Sequence, residues 1–284
     1  VKPILLFLHI PKTAGTTIRD ILKKTYGGGL QVGGLEHNIH DRFPTDETLS
    51  GIEERFKDKN AFTLHMCFGL HAYLQRPHHY LTFLREPIQR SISHYNFFVR
   101  MRENIVWHDV VKRGITAFHT EGHIQWRNMQ TRFLAGREVV GKEVIDETDL
   151  ELAKQNLRDE IELLGIVERF DESVLYCQHQ LDWDRPFYLK ANQSKRVLKD
   201  KTITYASLNS DEKKMIEHVN RYDLELYDYA KQLFQNRLDA SEIDYERELA
   251  RFSFYNRIYY FKTVTQNKMR SILRHTIKEQ PVNQ

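Results

Sequence analysis

Cysteine is scarce: Cys67 and Cys177 are the only two in 284 residues, far apart, and they make neither a disulfide framework nor a cysteine metal site. Redox chemistry is therefore not the function expected, and a reducing compartment fits. Seven prolines and 13 glycines are too few for a collagen-like or low-complexity chain. No apolar run reaches the roughly 18 residues that a membrane span needs. The run at residues 4–8 is too short for a signal peptide and has no small-residue cleavage site after it. Net charge is also small, +3 from 42 basic and 39 acidic residues. It conceals an asymmetry. From residue 251 onward Arg251, Arg257, Lys262, Lys268, Arg270, Arg274 and Lys278 face one acid, Glu279, which makes the tail +6 and leaves −3 for residues 1–250. The body is thus no broad basic face for nucleic acid, and a positive site on it must be a local cluster that recognises a particular anion.

What is present is ordinary for a globular chain: 40% hydrophobic and 29% charged residues, enough for one fairly large domain or a domain with an appendage. Residues 4–10 are almost continuously apolar, the pattern of a strand buried on both faces of a parallel sheet. After Pro11 and a loop through Gly15, Thr16, Thr17, Ile18, Ile21 and Leu22 open a helix, which residues 27–29 end. Residues 31–59 are polar and read as a long connection or lid. Two more short apolar runs, 61–64 and 80–84, are followed at once by His65 and Arg85. Ligands of open α/β sheets sit outside the carboxyl ends of the strands, so Lys12, His65 and Arg85 are offered to one crevice.

Residues 96–133 read as helices with irregular joints at Gly114 and Gly122. Thr148 and Glu151 make a capping box for a helix carrying Leu150, Ala153, Leu157, Ile161 and Leu164 on one stripe. Residues 165–167 read as a short strand, Asp171 as the cap of the next helix, and Asn209 with Glu212 as the start of a last one running through Met215, Tyr222 and Leu233. The fold expected is α/β, a P-loop-like parallel sheet of four or five strands flanked by helices, with a helical C-terminal third. Its division is a domain over 1–240 and a basic, aromatic helical extension over 241–284. The aromatics and cations of that extension suit an anionic membrane or polyanion, or a C-terminal helix packed on its own domain, the commoner case.

The loop Pro11-Lys12-Thr13-Ala14-Gly15-Thr16-Thr17 turns amides and hydroxyls toward one point at a helix N-terminus and suits a phosphate. A Walker A loop has its lysine after the last glycine, whereas Lys12 precedes Gly15, so a standard NTPase is disfavoured. The bland alternative is a strand-turn-helix corner in which Thr16 and Thr17 merely cap. At the later strand end Arg85 stands where a kinase or NTPase would want a metal-binding aspartate; its fork suits a phosphate without metal, and Ser93 lies eight residues on. Arg85 and Glu86 also have the option of pairing only with each other.

Together, residues 9–17 with Thr82-Phe83-Leu84-Arg85-Glu86-Pro87 and 90–95 resemble the sulfotransferases that use 3′-phosphoadenosine 5′-phosphosulfate (PAPS). Within them the likeness is to the branch of heparan sulfate 2-O-sulfotransferases and related bacterial proteins. It continues more weakly through 128–132, 164–170 and the helix around 222–233, covering roughly residues 4–237. The resemblance implies that Lys12, Thr13, Ala14, Gly15, Thr16 and Thr17 bind the 5′-phosphosulfate, that Arg85 and Ser93 bind the 3′-phosphate, and that His65 is the base, with His71 as runner-up or acceptor ligand. Where the family commonly has glycine before that histidine, this chain has Leu64. A late loop in similar enzymes folds over the nucleotide, which nominates Asn192, Lys195 and Arg196; a solvated loop is the equal alternative.

Arg127, Gln130 and Arg132 are candidates to meet a polar or acidic acceptor. His119 and His123, spaced i, i+4, lack a third metal ligand, and sulfuryl transfer needs no metal. The expectation is a PAPS-dependent sulfotransferase acting on a hydroxyl acceptor, most plausibly carbohydrate, with no metal and no nucleic acid. Its rivals are a P-loop nucleotide kinase or NTPase and a non-catalytic polyanion- or membrane-binding protein. A bacterial cytoplasmic enzyme is favoured, or the Golgi lumen for a chain whose anchor lies outside this sequence. Residue types leave the oligomeric state and the particular acceptor open.

Overall fold

The computed structural model describes residues 2–32, 46–101, 108–184, 186–189 and 202–278. Asn192, Lys195 and Arg196 lie outside the described residues, as does the 33–45 part of the predicted lid.

Among the described residues five parallel strands form one sheet in the order β2-β3-β1-β4-β5: β1 (Ile4–Leu8), β2 (Leu30–Val32), β3 (Ala61–Leu64), β4 (His78–Leu84) and β5 (Leu163–Ile166). Every residue of β1 is buried, as its unbroken apolar run requires of a central strand. β1 pairs with β3 from Leu5↔Ala61 to Leu8↔Leu64 and with β4 from Ile4↔His78 to Leu8↔Thr82. The carboxyl ends of β3, β1 and β4 therefore lie side by side. The edge strand β2 is an addition to the sequence reading, with two of its three residues at the start of what reads as polar connection. At β5, Gly165 is required by packing: a Cβ there would stand 2.5 Å from the Phe83 ring.

Helix α1 (Gly15–Tyr26) follows β1, and short helices α2 (Asp46–Leu49) and α3 (Ile52–Arg55) precede β3. After β4 come α4 (Pro87–Arg100), α5 (His108–Lys112), α6 (Ile115–Thr120), α7 (Met129–Ala135) and α8 (Glu147–Asp159), then α9 (Phe170–Leu181) beyond β5. The C-terminal third is helical: α10 (Ser210–Val219), α11 (Arg221–Asp239) and α12 (Tyr245–Lys278).

Several boundaries differ from the sequence reading. Helix α8 ends at Asp159, so Ile161 lies beyond it and Leu164 belongs to β5, which starts two residues before the strand read at 165–167. The capping box of α8 is Asp146 with Asp149, not Thr148 with Glu151; Asp146 accepts the Asp149 amide while Asp149 accepts the Asp146 amide, a two-residue shift that a carboxylate at each position permits. Asp171 is not the cap of α9 but lies in its first turn and accepts a hydrogen bond from the Tyr188 hydroxyl. The single long helix expected after Asn209 is two, because Asn220 closes α10, its amide donating to the Ile216 carbonyl at 2.8 Å. The Asn209–Glu212 capping box is present as read.

Helix α12 has two opposed apolar faces. Phe252 is buried, the Tyr188 amide donates to Asn256 at 2.8 Å, and Tyr259 takes a hydrogen bond from Lys24, so this face packs on the domain. Phe254, Ile258 and Phe261 at i, i+4 and i+7 point away and are 62%, 48% and 57% exposed. No helix among the described residues is long and apolar enough to cross a membrane.

Candidate active site

The loop after β1 is built from unusual backbone. Lys12 and Ala14 have φ of 73° and 63°, the left-handed region that costs a residue with a Cβ of order 1 kcal/mol or more. The Thr13 side chain, fully buried, donates to the Ile10 carbonyl at 2.8 Å and ties the loop down. Its hydroxyl thus serves the loop itself rather than facing out. Ala14 is the N-cap of α1 without a side-chain cap bond, which removes the reading of Thr16 and Thr17 as mere caps. The Thr17 and Ile18 amides donate to the Ala14 carbonyl at 3.0 and 3.2 Å; those of Gly15 and Thr16 are the donors a helix start leaves for an anion. The first turn of α1 holds no acid.

Three cations meet beside this loop. Arg85 donates to the Lys12 carbonyl at 3.2 Å, and the Lys12 ammonium lies 4.5 Å from the centre of the Phe97 ring on α4. Burial, then the charges of Arg100 and Arg85, pull the Lys12 pKa from its ordinary 10.5 to about 8. Ser93, Phe97 and Arg100 are spaced i, i+4, i+7 on α4, so one face of that helix brings a hydroxyl, a ring and a cation toward the loop. Among the described residues no carboxylate forms an ion pair with Lys12, Arg85 or Arg100. Glu86 does not pair with Arg85 as sequence reasoning allowed; it caps α4, accepting the Ile88 and Gln89 amides. Glu168 accepts from the Glu86 amide and the Tyr227 hydroxyl. Burial lowers the Arg85 pKa, and Glu168 and Glu86 oppose that only from a distance. A half-buried positive cluster with no carboxylate ion pair among the described residues is chemically suited to an external anion.

Behind Arg85 stands a buried polar frame. The Gln130 side chain holds both backbone groups of Arg85, accepting its amide at 2.8 Å and donating to its carbonyl at 2.9 Å. Asp223 accepts the Gln130 and Thr131 amides and the Thr131 hydroxyl, and lies 4.0 Å from the guanidinium of fully buried Arg90. Asn128 in turn accepts the Tyr222 and Asp223 amides at 3.1 and 3.3 Å. This corrects the expected acceptor wall: Gln130 is fully buried and serves Arg85. Arg132, 3% exposed, donates to the Arg127, Lys142 and Glu143 carbonyls, and Arg127 donates to those of His119 and Thr120. All three side chains serve backbone: Gln130 that of Arg85, Arg127 that of the end of α6, and Arg132 that of Arg127 and of the segment before α8.

His65, next after β3, is beside the loop. Its Nε2 is 2.9 Å from Nδ1 of His9, the residue next after β1. His71 is elsewhere. It stacks on His78, the first residue of β4, at 5.3 Å and bonds the Tyr80 hydroxyl at 3.2 Å, which puts it toward the amino end of the sheet, roughly 20 Å of strand from Arg85. His71 thus drops out beside His65 on position alone. His119 is fully buried, and burial with the nearby Arg90 and Arg127 charges depresses its pKa to about 3.

A family model described as "Sulfotransferase family" matches residues 2–230. The chain belongs to the sulfotransferase family. Among curated proteins, heparan-sulfate 6-O-sulfotransferase 1-B of Danio rerio is 26% identical over 301 residues, covering 87% of this chain and 70% of the relative. The chain is accordingly a sulfotransferase enzyme, on the parallel α/β sheet that the sequence resemblance implied. Sequence reasoning missed His9, Phe97 and Arg100. Pairing the 4–10 and 61–64 runs in parallel register would have set His9 beside His65, and the i, i+4, i+7 spacing from Ser93 would have found the other two.

Proposed function

We propose that this sulfotransferase takes its sulfuryl group from PAPS and transfers it to a hydroxyl of a carbohydrate. Lys12 and the backbone of residues 13–17 hold the 5′-phosphosulfate. Arg85 and Ser93 hold the 3′-phosphate, and His65 removes the proton of the attacking hydroxyl. The observation that carries the reading is the cluster of Lys12, Arg85 and Arg100, unpaired with carboxylate among the described residues, at a helix start one strand away from a histidine. Two anionic groups suit two cationic lobes, the loop and the Arg85–Ser93 pair. As charge grows on the leaving phosphate, Lys12 and the Gly15 and Thr16 amides are in place to neutralise it. Imidazole has the basicity for a hydroxyl that ionises as it attacks. The carbohydrate acceptor is supported by the relative alone, which is named a heparan-sulfate sulfotransferase.

Thermal unfolding with 3′-phosphoadenosine 5′-phosphate (PAP), ADP or ATP with Mg²⁺ tests the donor class. Ligand at about a hundred times its Kd adds roughly 2.7 kcal/mol, a shift of several degrees. PAP without metal should raise the midpoint and ADP should raise it less; a rise with Mg-ATP alone would overturn the proposal.

A further inference from the structure

His9 is the one imidazole at the site with no part in the reading above, and four separate observations converge on it. β1 and β3 run parallel with Leu8 opposite Leu64, so the next residues of the two strands, His9 and His65, emerge as neighbours at the carboxyl end of the sheet. Their rings meet with centroids 4.2 Å apart, tilted 56°, and with Nδ1 of His9 2.9 Å from Nε2 of His65. The His9 ring also stacks on Phe7 at 5.4 Å and 15°. Finally, its imidazole fills the space in front of Gly15: a Cβ on that glycine would stand 1.6 Å from His9 Nε2. His9 is thereby held between the strand, the anion-binding loop and His65.

We propose that His9 is a positioning residue that acts through His65, fixing its ring and the tautomer in which it can act as a base. The inference rests on the assignment of His65 as the base. A hydrogen bond between two neutral imidazoles needs one N–H and one lone pair. If His9 donated, His65 would carry its proton on Nδ1 and have no lone pair left to accept another. With the proton of His9 on Nε2, beside Gly15, its Nδ1 accepts from His65 Nε2–H and the lone pair of His65 is on Nδ1. Transfer then balances: the acceptor O–H breaks and its proton goes to His65 Nδ1. The acceptor oxygen bonds sulfur, and the sulfur–phosphate oxygen bond breaks with its electron pair on the 5′-phosphate of PAP. The imidazolium so formed keeps its Nε2–H on His9, which stays neutral. His65 Nδ1 is covered from solvent, so the proton transfer requires the seated acceptor to open a path to it. The same contact makes Gly15 a spacer for His9 as well as a loop residue: the imidazole that orients the base rests on the backbone that grips the donor.

The test compares His9→Phe, which keeps a ring on Phe7 and against Gly15 but has no nitrogen, with His9→Asn, whose amide returns a polar atom near the place of Nδ1. The first readout needs no acceptor: imidazole ¹⁵N spectra of the ¹⁵N-histidine-labelled full chain, with the His65 signals assigned through His65→Gln. The proposal expects the His65 proton on Nε2 in the parent, a mixed or inverted tautomer in His9→Phe, and recovery in His9→Asn. The second is conversion of PAPS to PAP with N-sulfated heparosan. There kcat should fall about 100-fold in His9→Phe, with the PAP-induced rise in unfolding midpoint unchanged, and His9→Asn should regain most of it. An unaltered His65 tautomer in His9→Phe overturns the proposal, as does a kcat loss that only tracks lost PAP binding. If His65→Gln turns over normally, the assignment of the base has failed. If His65→Gln is dead and His9→Phe is fully active, this inference alone has failed.

Discussion

Raising the pH through 8 should weaken PAP binding to this protein while making the unliganded fold more stable, two trends of opposite sign from one side chain. Lys12 is pushed from 10.5 to about 8, first by burial and then by Arg100 and Arg85. A 5′-phosphate is best held by the charged ammonium. With a pKa of about 8, roughly nine-tenths of Lys12 is charged at pH 7 and roughly one-tenth at pH 9, so Kd should rise about tenfold, ~1.4 kcal/mol. The stability trend runs the other way. Between the folded value of about 8 and the unfolded 10.5, the unfolded chain holds the proton that the folded chain has released, and stability climbs with pH wherever the unfolded state binds more protons. Calorimetric titration with PAP at pH 7, 8 and 9 and constant ionic strength measures the first trend; denaturant unfolding of the free protein measures the second. Because a bound phosphate restores the charge, binding near pH 8.5 should also take up protons, visible as a heat that depends on the buffer. Lys12→Arg keeps its charge throughout and should bind PAP with little pH dependence. A wild-type Kd constant within twofold from pH 7 to 9, or the same decline in Lys12→Arg, would refute the reasoning.

Gln130→Leu removes both side-chain bonds to the Arg85 backbone and leaves two buried polar groups to be satisfied otherwise, so it should cost about 1–3 kcal/mol in denaturant unfolding. It should also reduce the preference for PAP over ADP more than it reduces ADP binding, since Arg85 is the group proposed to grip the 3′-phosphate. Cutting the chain after residue 240 strips Phe252 from the core and uncovers Phe187 and Tyr188, and should lower stability by about 3–5 kcal/mol. Cutting after residue 265 leaves the Phe252, Asn256 and Tyr259 contacts in place and should leave the unfolding midpoint within a degree or two.

The sheet was legible in the sequence because its central strands are apolar on both faces, a pattern that residues 4–10, 61–64 and 80–84 show plainly, and because each run stops at a chemically distinctive residue. β2 was not, since a three-residue edge strand carries too few side chains to set a period against its polar surroundings. In the site, Lys12, Arg85 and His65 could be read because strand ends converge in this architecture. Gln130 could not: an amide facing an acceptor and an amide stitching another residue's backbone look alike until burial is known. His71 misled for a related reason, since a histidine six residues past His65 has already been carried back toward the start of the next strand. The shifted cap at Asp146 shows the same limit on a smaller scale, where Asp and Thr are both good caps and only geometry chooses.

The frame behind Arg85 bears on how the protein is made. The loop after β1 precedes all of its partners in chain order, yet β1 is a central strand whose two neighbours end at Leu64 and Leu84. Arg85 then waits for Gln130, and Gln130 for Asp223. A nascent chain that ends before Asp223 therefore has the loop but no rigid arginine, and long-range parallel pairings of this kind form late. Ribosome-bound chains of increasing length would acquire nucleotide affinity in one step near the emergence of α11, not gradually as the individual strands appear.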